Sequence, residues 1–598
     1  MSSSESVSPH PDKVCDIVMK GGITSGVVYP LALVELSKKY RFANIGGTSA
    51  GAIAAAAAAA AEYGRGAPSA GFDCLKAVPD EIGEKLLSLF QPTPNLRPLF
   101  EIFIAVLKGR DACEKGWGAV SAAVRGYFEN ARNGALVGFG IAVLIGLLTG
   151  GGVSNIFAFG LIFALLGAAA ALALRILKAL TQDLPENDYG LCPGLYQEGG
   201  EPEGFTEWLD KLVSEASGRG KTADPLTFGN LLEPPGDRPP IRLAMMTTCL
   251  TERRPYTLST EGVEKAERLD GLYRDDAPFV FEKTEWSKLF PERIVNFMSR
   301  DESRVSTPKG QTGEFYRFPK MKDLPIVVAA RMSLSFPGLI CAVPLWRRDC
   351  SYNEENKQER EKFRRCLFSD GGLSSNFPIH FFDRLLPTSP TFAISLDEFD
   401  AQRSNDGRHT WLTSTPEDGV NIQLQDFKGL LGFLLRLVDS AKDWQDNLQS
   451  VLPGYRERIV HIGLNPQEGG LNLVMEKTTI DALVGYGAEA GTRLCKDFDF
   501  DAHRWRRFLV AMARLEETLD EVKQAYDETD QPADSFVKFL AQCDKPAQYP
   551  QKPEVIEAMR QRAKSLVALA ASWRLPPTVR NNGDIPKPDA SLRITAKP

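Results

Sequence analysis

The stretch that most constrains the fold of this chain is Gly47-Thr48-Ser49-Ala50-Gly51, together with its flanks. The apolar run ending Phe42-Ala43-Asn44-Ile45-Gly46 reads as a strand, and Ala52-Ile53 with the unbroken alanine run to Ala61 reads as a helix. Strand, Gly-x-Ser-x-Gly, helix is the context of a nucleophile elbow, where a tight turn pushes a serine hydroxyl out at the end of a sheet. The flanking glycines keep a Cβ from colliding with the neighbouring strand or helix. The helix N-terminus offers free N–H groups to developing negative charge. A chain with 51 glycines produces this pentapeptide by chance often enough that it decides nothing alone.

One β–α unit upstream stands a second turn of the same kind. Val14 to Met19 is a short buried-strand candidate, running into Lys20-Gly21-Gly22-Ile23-Thr24-Ser25-Gly26. A helical stretch from Val27 to Leu36 follows and tolerates Pro30 near its first turn. Such a turn presents bare N–H groups, which suit a phosphate or an oxyanion. The phosphate reading lacks the Gly-Lys-Ser/Thr of a P-loop and any Gly-x-Gly-x-x-Gly. A candidate nucleophile one unit later favours an oxyanion hole over a merely structural turn.

Residues 95–240 interrupt this α/β pattern. Ala135 to Leu148 is one apolar run, Thr149 to Asn155 a turn-like break, and Ile156 to Leu174 a second run of 19 uncharged residues. The second run is long enough to span a bilayer and the first is marginal. Arg125 and Arg132 precede them, and Arg175 and Lys178 follow. A membrane hairpin over 134–174 with both ends cytosolic satisfies the positive-inside tendency. The competing readings are a helical pair buried in a soluble domain and a lid over a lipid pocket. The uncharged length favours the membrane. A net charge of -7 gives no support to a nucleic-acid partner. Ten scattered cysteines without a Cys-x-x-Cys pair argue against zinc and against a disulfide scaffold, and for reduced thiols. Met1 to Lys13 is polar and lacks the core of a signal peptide, so the catalytic part is expected to face the cytosol.

Downstream, Pro193 to Pro240 reads as loops with one short helix, Ile241 to Thr247 as the sheet resuming, and Asp323 to Ser335 as a helix. The highly charged 352–366 reads as a solvated excursion. Asp370-Gly371-Gly372 then closes an apolar stretch, a common turn as much as a catalytic loop. Phe427, Leu430, Leu431, Leu434, Leu435 and Val438 form an apolar stripe, and Trp505 stands among Arg504, Arg506 and Arg507. Either face serves core packing or lipid. From about Phe498 the chain reads as helices and then a Pro-rich tail, Pro576 to Pro598.

Taken in order, Lys20 to Gly26, Gly47 to Gly51, Ala329 to Gly338, Asp370-Gly371-Gly372 and Asn376-Phe377-Pro378 resemble the patatin-like phospholipase family. The resemblance covers roughly residues 12–94 and 241–497. The expected fold class is therefore α/β: a three-layer α/β/α patatin-like core, with the hydrophobic helical hairpin inserted at 95–240 and a helical extension over 498–598. The resemblance implies a serine–aspartate dyad of Ser49 as nucleophile and Asp370 as base, with no metal and no cofactor. The implied oxyanion donors are backbone N–H groups of the Gly21, Gly22, Ile23 and Gly26 turn, joined by Ala50. Gly47, Gly51, Gly371 and Gly372 are the motif glycines. Among His10, His380, His409, His461 and His503 none lies in a recognisable catalytic motif, and His380 alone is near enough to the Asp loop to challenge the dyad. The family's first motif usually has a third glycine where Ile23 stands and a basic residue where Ser25 stands, so a phosphate-attracting charge is missing. The implied substrates are acyl esters of (phospho)glycerolipids, with membrane lipids as both substrate and anchor. Family habit places the chain at a bacterial inner membrane, catalytic part toward the cytoplasm. Two rivals remain: an acyltransferase sharing the acyl-enzyme, and a catalytically degenerate, membrane-anchored interaction protein.

Overall fold

The computed structural model describes residues 11–22, 24–109, 112–150, 152–220, 222–261, 278–349, 361–399, 408–413, 446–465, 467–470, 472–526 and 552–573, with a few single positions elsewhere. Its strands are β1 (Lys13–Met19), β2 (Tyr40–Gly47), β3 (Gly190–Cys192), β4 (Arg242–Cys249), β5 (Arg254–Ser259), β6 (Val280–Glu282), β7 (Arg304–Val305), β8 (Phe315–Arg317), β9 (Gly338–Ile340), β10 (Val343–Arg348), β11 (Phe363–Ser369), β12 (Thr391–Glu398), β13 (Thr410–Leu412) and β14 (Ile459–Leu464). β3 and β9 pair with each other. The others form one 12-stranded sheet in the order β13-β14-β12-β1-β2-β4-β11-β10-β6-β8-β7, with β5 beside β4. The block β14-β12-β1-β2-β4 is parallel. From β4 outward through β11 and β10 the pairing turns antiparallel. The class is mixed α/β.

Parallel neighbours require crossovers, and β1 reaches β2 through helix α1 (Tyr29–Ser37). Helix α2 (Ala50–Tyr63) leaves β2 and is buried along almost its whole length. It is caught between the sheet, α3 (Phe72–Lys85) and the helix Phe205–Ser217. Methyl groups are what such a site accepts, which accounts for the alanine run. The opposite face of the sheet buries Val18, Ala244, Met246, Ala393 and Ile459 under Phe377, Ile379 and Phe381.

Two expectations need correction. Pro193 to Pro240 holds more than one short helix: Phe205–Ser217 runs 13 residues and buries Phe205, Trp208, Leu209, Leu212 and Val213 in the main core. The i, i+3, i+4, i+7 spacing was there, obscured by the surrounding Pro, Gly and acidic residues. The charged stretch 352–366 does not stay in solvent to its end, since from Phe363 it is β11, laid antiparallel on β10.

Helices α4 (Arg97–Lys108) and α5 (Ala112–Gly126) lead into α6 (Phe128–Thr149) and α7 (Val153–Lys178). α6 ends at Gly150, whose φ of 65° is a left-handed cap, and the turn is shorter than expected because Val153 to Asn155 already belong to α7. Both helices are long and apolar enough to cross a membrane. Only 17% and 6% of their most apolar windows are buried. Most of the apolar surface of the two helices is therefore left open by the described residues. The stripe from Phe427 to Val438 and most of the Pro-rich tail lie outside the described residues. Trp505 is exposed on the helix Phe500–Tyr526, whereas Arg507 turns inward and donates to Asp383 (3.0 Å) and the Arg384 carbonyl (2.6 Å).

Candidate active site

Ser49 is the second of the two residues between β2 and α2, at φ 55° and ψ -129°. A non-glycine residue there is strained by about 1–3 kcal/mol, and it persists where its surroundings over-determine it. They do so here. A Cβ on Gly47 would lie 2.2 Å from the Gly51 carbonyl oxygen, and one on Gly51 would lie 2.3 Å from that of Met19. The Ser49 N–H donates to Ser333 Oγ at 3.1 Å.

Asp370 arrives from the other direction. β11 runs antiparallel to β4, so its end meets the end of β2 across that strand. Thr247 Oγ1 donates to the Ser369 carbonyl (2.8 Å), while Ser369 Oγ (2.8 Å) and the Asp370 N–H (3.0 Å) both donate to the Ser335 carbonyl. A Cβ on Gly371 would sit 2.0 Å from the Met246 carbonyl oxygen, so only glycine lets the loop turn there. The result is a hydrogen bond of 2.8 Å from Ser49 Oγ to Asp370 Oδ2. Asp370 Oδ1 accepts from the Gly372 N–H at 2.6 Å, which aims the second oxygen at the serine. Both residues are buried, at 4% and 2% exposure.

Beneath the pair lies Arg331, fully buried on the helix Ile326–Ser333. Its guanidinium donates to Ser335 Oγ (2.7 Å) and to the carbonyls of Pro193 (2.9 Å) and Cys341 (3.1 Å). Burial pulls its pKa down to about 10. The roles of Arg331, Ser333 and Ser335 were not readable from the sequence; their proximity to one proline-ended helix was the only signal.

The glycine turn packs onto the elbow, with the Cβ position of Gly26 lying 3.3 Å from Ala50 Cβ. The implied role of Gly21 needs correction: its N–H donates to the Asn376 carbonyl at 2.7 Å. The N–H groups of Gly22 and Ala50 take no acceptor among the described residues, Ala50 because it opens a helix. Ile23 lies outside the described residues, and Ser25 is buried in a short 3-10 turn.

The four described histidines have other neighbours. His380 packs edge-on against Phe381, and burial lowers its pKa. His461 Nδ1 bonds Asp397 at 2.7 Å, and Lys20 Nζ pairs with the same carboxylate at 3.0 Å. Burial raises the Asp397 pKa, but Lys20 and His461 outweigh it and hold the carboxyl well below the usual range. His409 stacks between Phe399 and Tyr486. His503 is pushed down to about 3, first by burial and then by Arg458, Arg507 and Arg506. His10 lies outside the described residues.

A narrow apolar cavity of about 70 Å³ opens beside the pair. Thr24, Gly26, Ala50 and Leu334 form its near end, and it runs between α1, α2, α3 and the helix Phe205–Ser217 past Leu33, Ala54, Ala57, Val78, Phe90, Trp208 and Leu212. The eight described cysteines are free. Cys249, Glu252 and Cys366 come together although far apart in sequence, with ligand atoms within 4.8 Å. Glu252, however, already pairs with Arg347 at 3.0 Å and accepts from Tyr256. A guanidinium at that distance disfavours a metal cation.

Fold and site together define a mixed α/β protein with a buried serine–aspartate pair at a strand–helix elbow, which also carries a hydrophobic helical hairpin. The chain belongs to the family of the RpoH suppressor of Rhizobium meliloti (strain 1021), with which it shares 35% identity over 575 residues, covering 84% of this chain and 86% of that protein. No family model matches it. Among solved structures, VipD from Legionella pneumophila aligns over 94% of this chain and 86% of its own at 10% identity and a TM-score of 0.28, a likeness too slight to carry an argument.

Proposed function

We propose that this chain is a membrane-associated serine lipid acyl hydrolase on a patatin-like three-layer core, cleaving acyl esters of (phospho)glycerolipids. The observation that carries the reading is the 2.8 Å bond from Ser49 Oγ to Asp370 Oδ2 on a positive-φ elbow. Ser49 Oγ attacks the ester carbonyl carbon as its proton passes to Asp370 Oδ2. The tetrahedral oxyanion is received by the N–H groups of Gly22 and Ala50. Collapse returns the proton to the leaving alcohol, and water then releases the fatty acid from acyl-Ser49 by the same steps. An aspartate is a weak base at pH 7, so direct contact with the hydroxyl and a dry site must make up the difference.

The apolar cavity suits one long acyl chain, and its near end is the residue after the nucleophile. The open apolar faces of α6 and α7 fit a bilayer, which would hold the site at its substrate with the catalytic part toward the cytoplasm.

The test is fatty-acid release from mixed phospholipid vesicles. Ser49→Ala and Asp370→Asn should each lower it at least about 1,000-fold with folding unchanged. Release that persists in Ser49→Ala sinks the mechanism. Ester formation with an added alcohol, in preference to free fatty acid, would make the chain an acyltransferase instead.

A further inference from the structure

We infer that Asp446 is a positioning residue for the reactive site, acting through the backbone of Ser375 to Phe377; this rests on the acyl-hydrolase reading above. Asp446 is 4% exposed, and its carboxylate gathers at least three donors among the described residues. Oδ1 accepts from Ser375 Oγ at 2.8 Å, and Oδ2 accepts from the backbone N–H groups of Asn376 (2.7 Å) and Phe377 (2.8 Å). Successive N–H groups converging on one anionic oxygen make a strong local anchor, since such charge-assisted bonds are about twice as strong as neutral ones.

The anchored peptide itself touches every part of the site. The Asn376 carbonyl accepts from the Gly21 N–H at 2.7 Å and from Thr48 Oγ1 at 3.1 Å. Gly21 opens the oxyanion turn, and Thr48 precedes the nucleophile. The Asn376 side-chain oxygen lies 2.2 Å from where a Cβ on Gly21 would be and 2.9 Å from that of Gly372. One residue thus abuts the oxyanion turn, the elbow and the Asp loop, and Asp446 holds it from behind. With Gly21 pinned in this way, the next N–H, that of Gly22, is set in place for the oxyanion. What is required of Asp446 is acceptor geometry. An asparagine can keep one oxygen for the two N–H groups and turn its amide toward Ser375 Oγ, whereas alanine offers neither.

The experiment is hydrolysis of a short, water-soluble p-nitrophenyl ester by the full chain, with kcat and KM separated and a melting curve for each variant. Asp446→Ala should lower kcat about 30- to 100-fold with KM changed less than about threefold, because a site displaced by about 1 Å loses roughly that much. Asp446→Asn should return kcat to within about fivefold of the wild type. If the alanine variant does not fold, Asp446→Ser, too short to reach both N–H groups, carries the same comparison. A wild-type kcat in the alanine or serine variant overturns the inference. So does an asparagine variant as slow as alanine, which would make charge the operative property. Ser49→Ala in the same assay separates the two claims: hydrolysis surviving there sinks the hydrolase reading, whereas its loss alongside a fully active Asp446→Ala sinks only the positioning role.

Discussion

Two regions of this molecule press backbone against backbone through glycine and then meet opposite surroundings. At the elbow, a Cβ on Gly51 would lie 2.3 Å from the Met19 carbonyl oxygen. In the hairpin, a Cβ on Gly138 would lie 2.0 Å from that of Phe163, and one on Gly167 would lie 2.2 Å from that of Gly134. Outward of the elbow contact the protein is closed, and Ser49 and Asp370 are shut away from water. Outward of the hairpin contact it is open: Leu136, Leu148, Leu161 and Leu165 are exposed at 64%, 79%, 66% and 65%. Apolar surface hidden from water contributes about 25 cal/mol per Å² to a soluble fold, and the hairpin leaves most of that gain untaken. Close glycine packing with apolar outer faces is how helices associate where the surroundings are themselves apolar. Glycine spacing therefore reports the shape of a contact, and the residues around it report the solvent.

The sharpest way to break this comparison is to add the same methyl group to each region. Gly51→Ala drives a Cβ into strand backbone that neighbouring strands hold fixed, at a cost of about 1–3 kcal/mol in stability. It should lower hydrolysis of a soluble ester at least about 100-fold, because the elbow shifts by a sizeable fraction of an ångström. Gly138→Ala makes a clash just as close, but the two hairpin helices can separate, so the soluble-ester rate should stay at the wild-type level. Equal losses in both variants would mean that the hairpin belongs to the same rigid unit as the site.

The two regions were also unequally legible in the sequence. The hairpin announces itself by composition, since nothing charged lies between Arg132 and Arg175. The elbow shows because its chemistry is local: five consecutive residues, a strand before and a helix after. What escaped is whatever depends on partners far away in the chain. Gly21 looks like an oxyanion donor until the Asn376 carbonyl, 355 positions on, takes its N–H. Asp446 carries no motif at all and matters only through Ser375, Asn376 and Phe377. The cavity wall formed by Phe205, Trp208 and Leu212 sits in a stretch whose prolines and acids suggested loops. Contacts of high sequence separation leave no local trace.

A smaller effect discriminates the surroundings of the hairpin. Leu165 is 65% exposed, so in water Leu165→Asp should change stability by no more than about 0.5 kcal/mol. In the middle of a bilayer the same change costs about 2.5–3.5 kcal/mol. Co-sedimentation with phospholipid vesicles, measured beside a melting curve in detergent-free buffer, should show membrane binding weakened roughly 100-fold while the soluble-ester rate holds. Binding that is unchanged removes the hairpin from the bilayer and returns it to a protein-facing role.

The smallest expected effect tests whether the closed region takes the lipid that the open region would anchor beside it. Ala57 is buried on α2 and lines the cavity, with Ala54 one turn before it nearer the nucleophile. Ala57→Phe puts a ring into that space while leaving the path from Ser49 past Ala50 open. Each methylene that a pocket accepts or refuses is worth about 1–3 kcal/mol, part of which a flexible acyl chain recovers by folding back. The ratio of kcat/KM for a sixteen-carbon ester to that for a four-carbon ester should therefore fall about 10-fold, with the short ester hydrolysed as before. If the ring costs long and short chains alike, the cavity is a packing defect beside the site, and the acyl chain lies elsewhere.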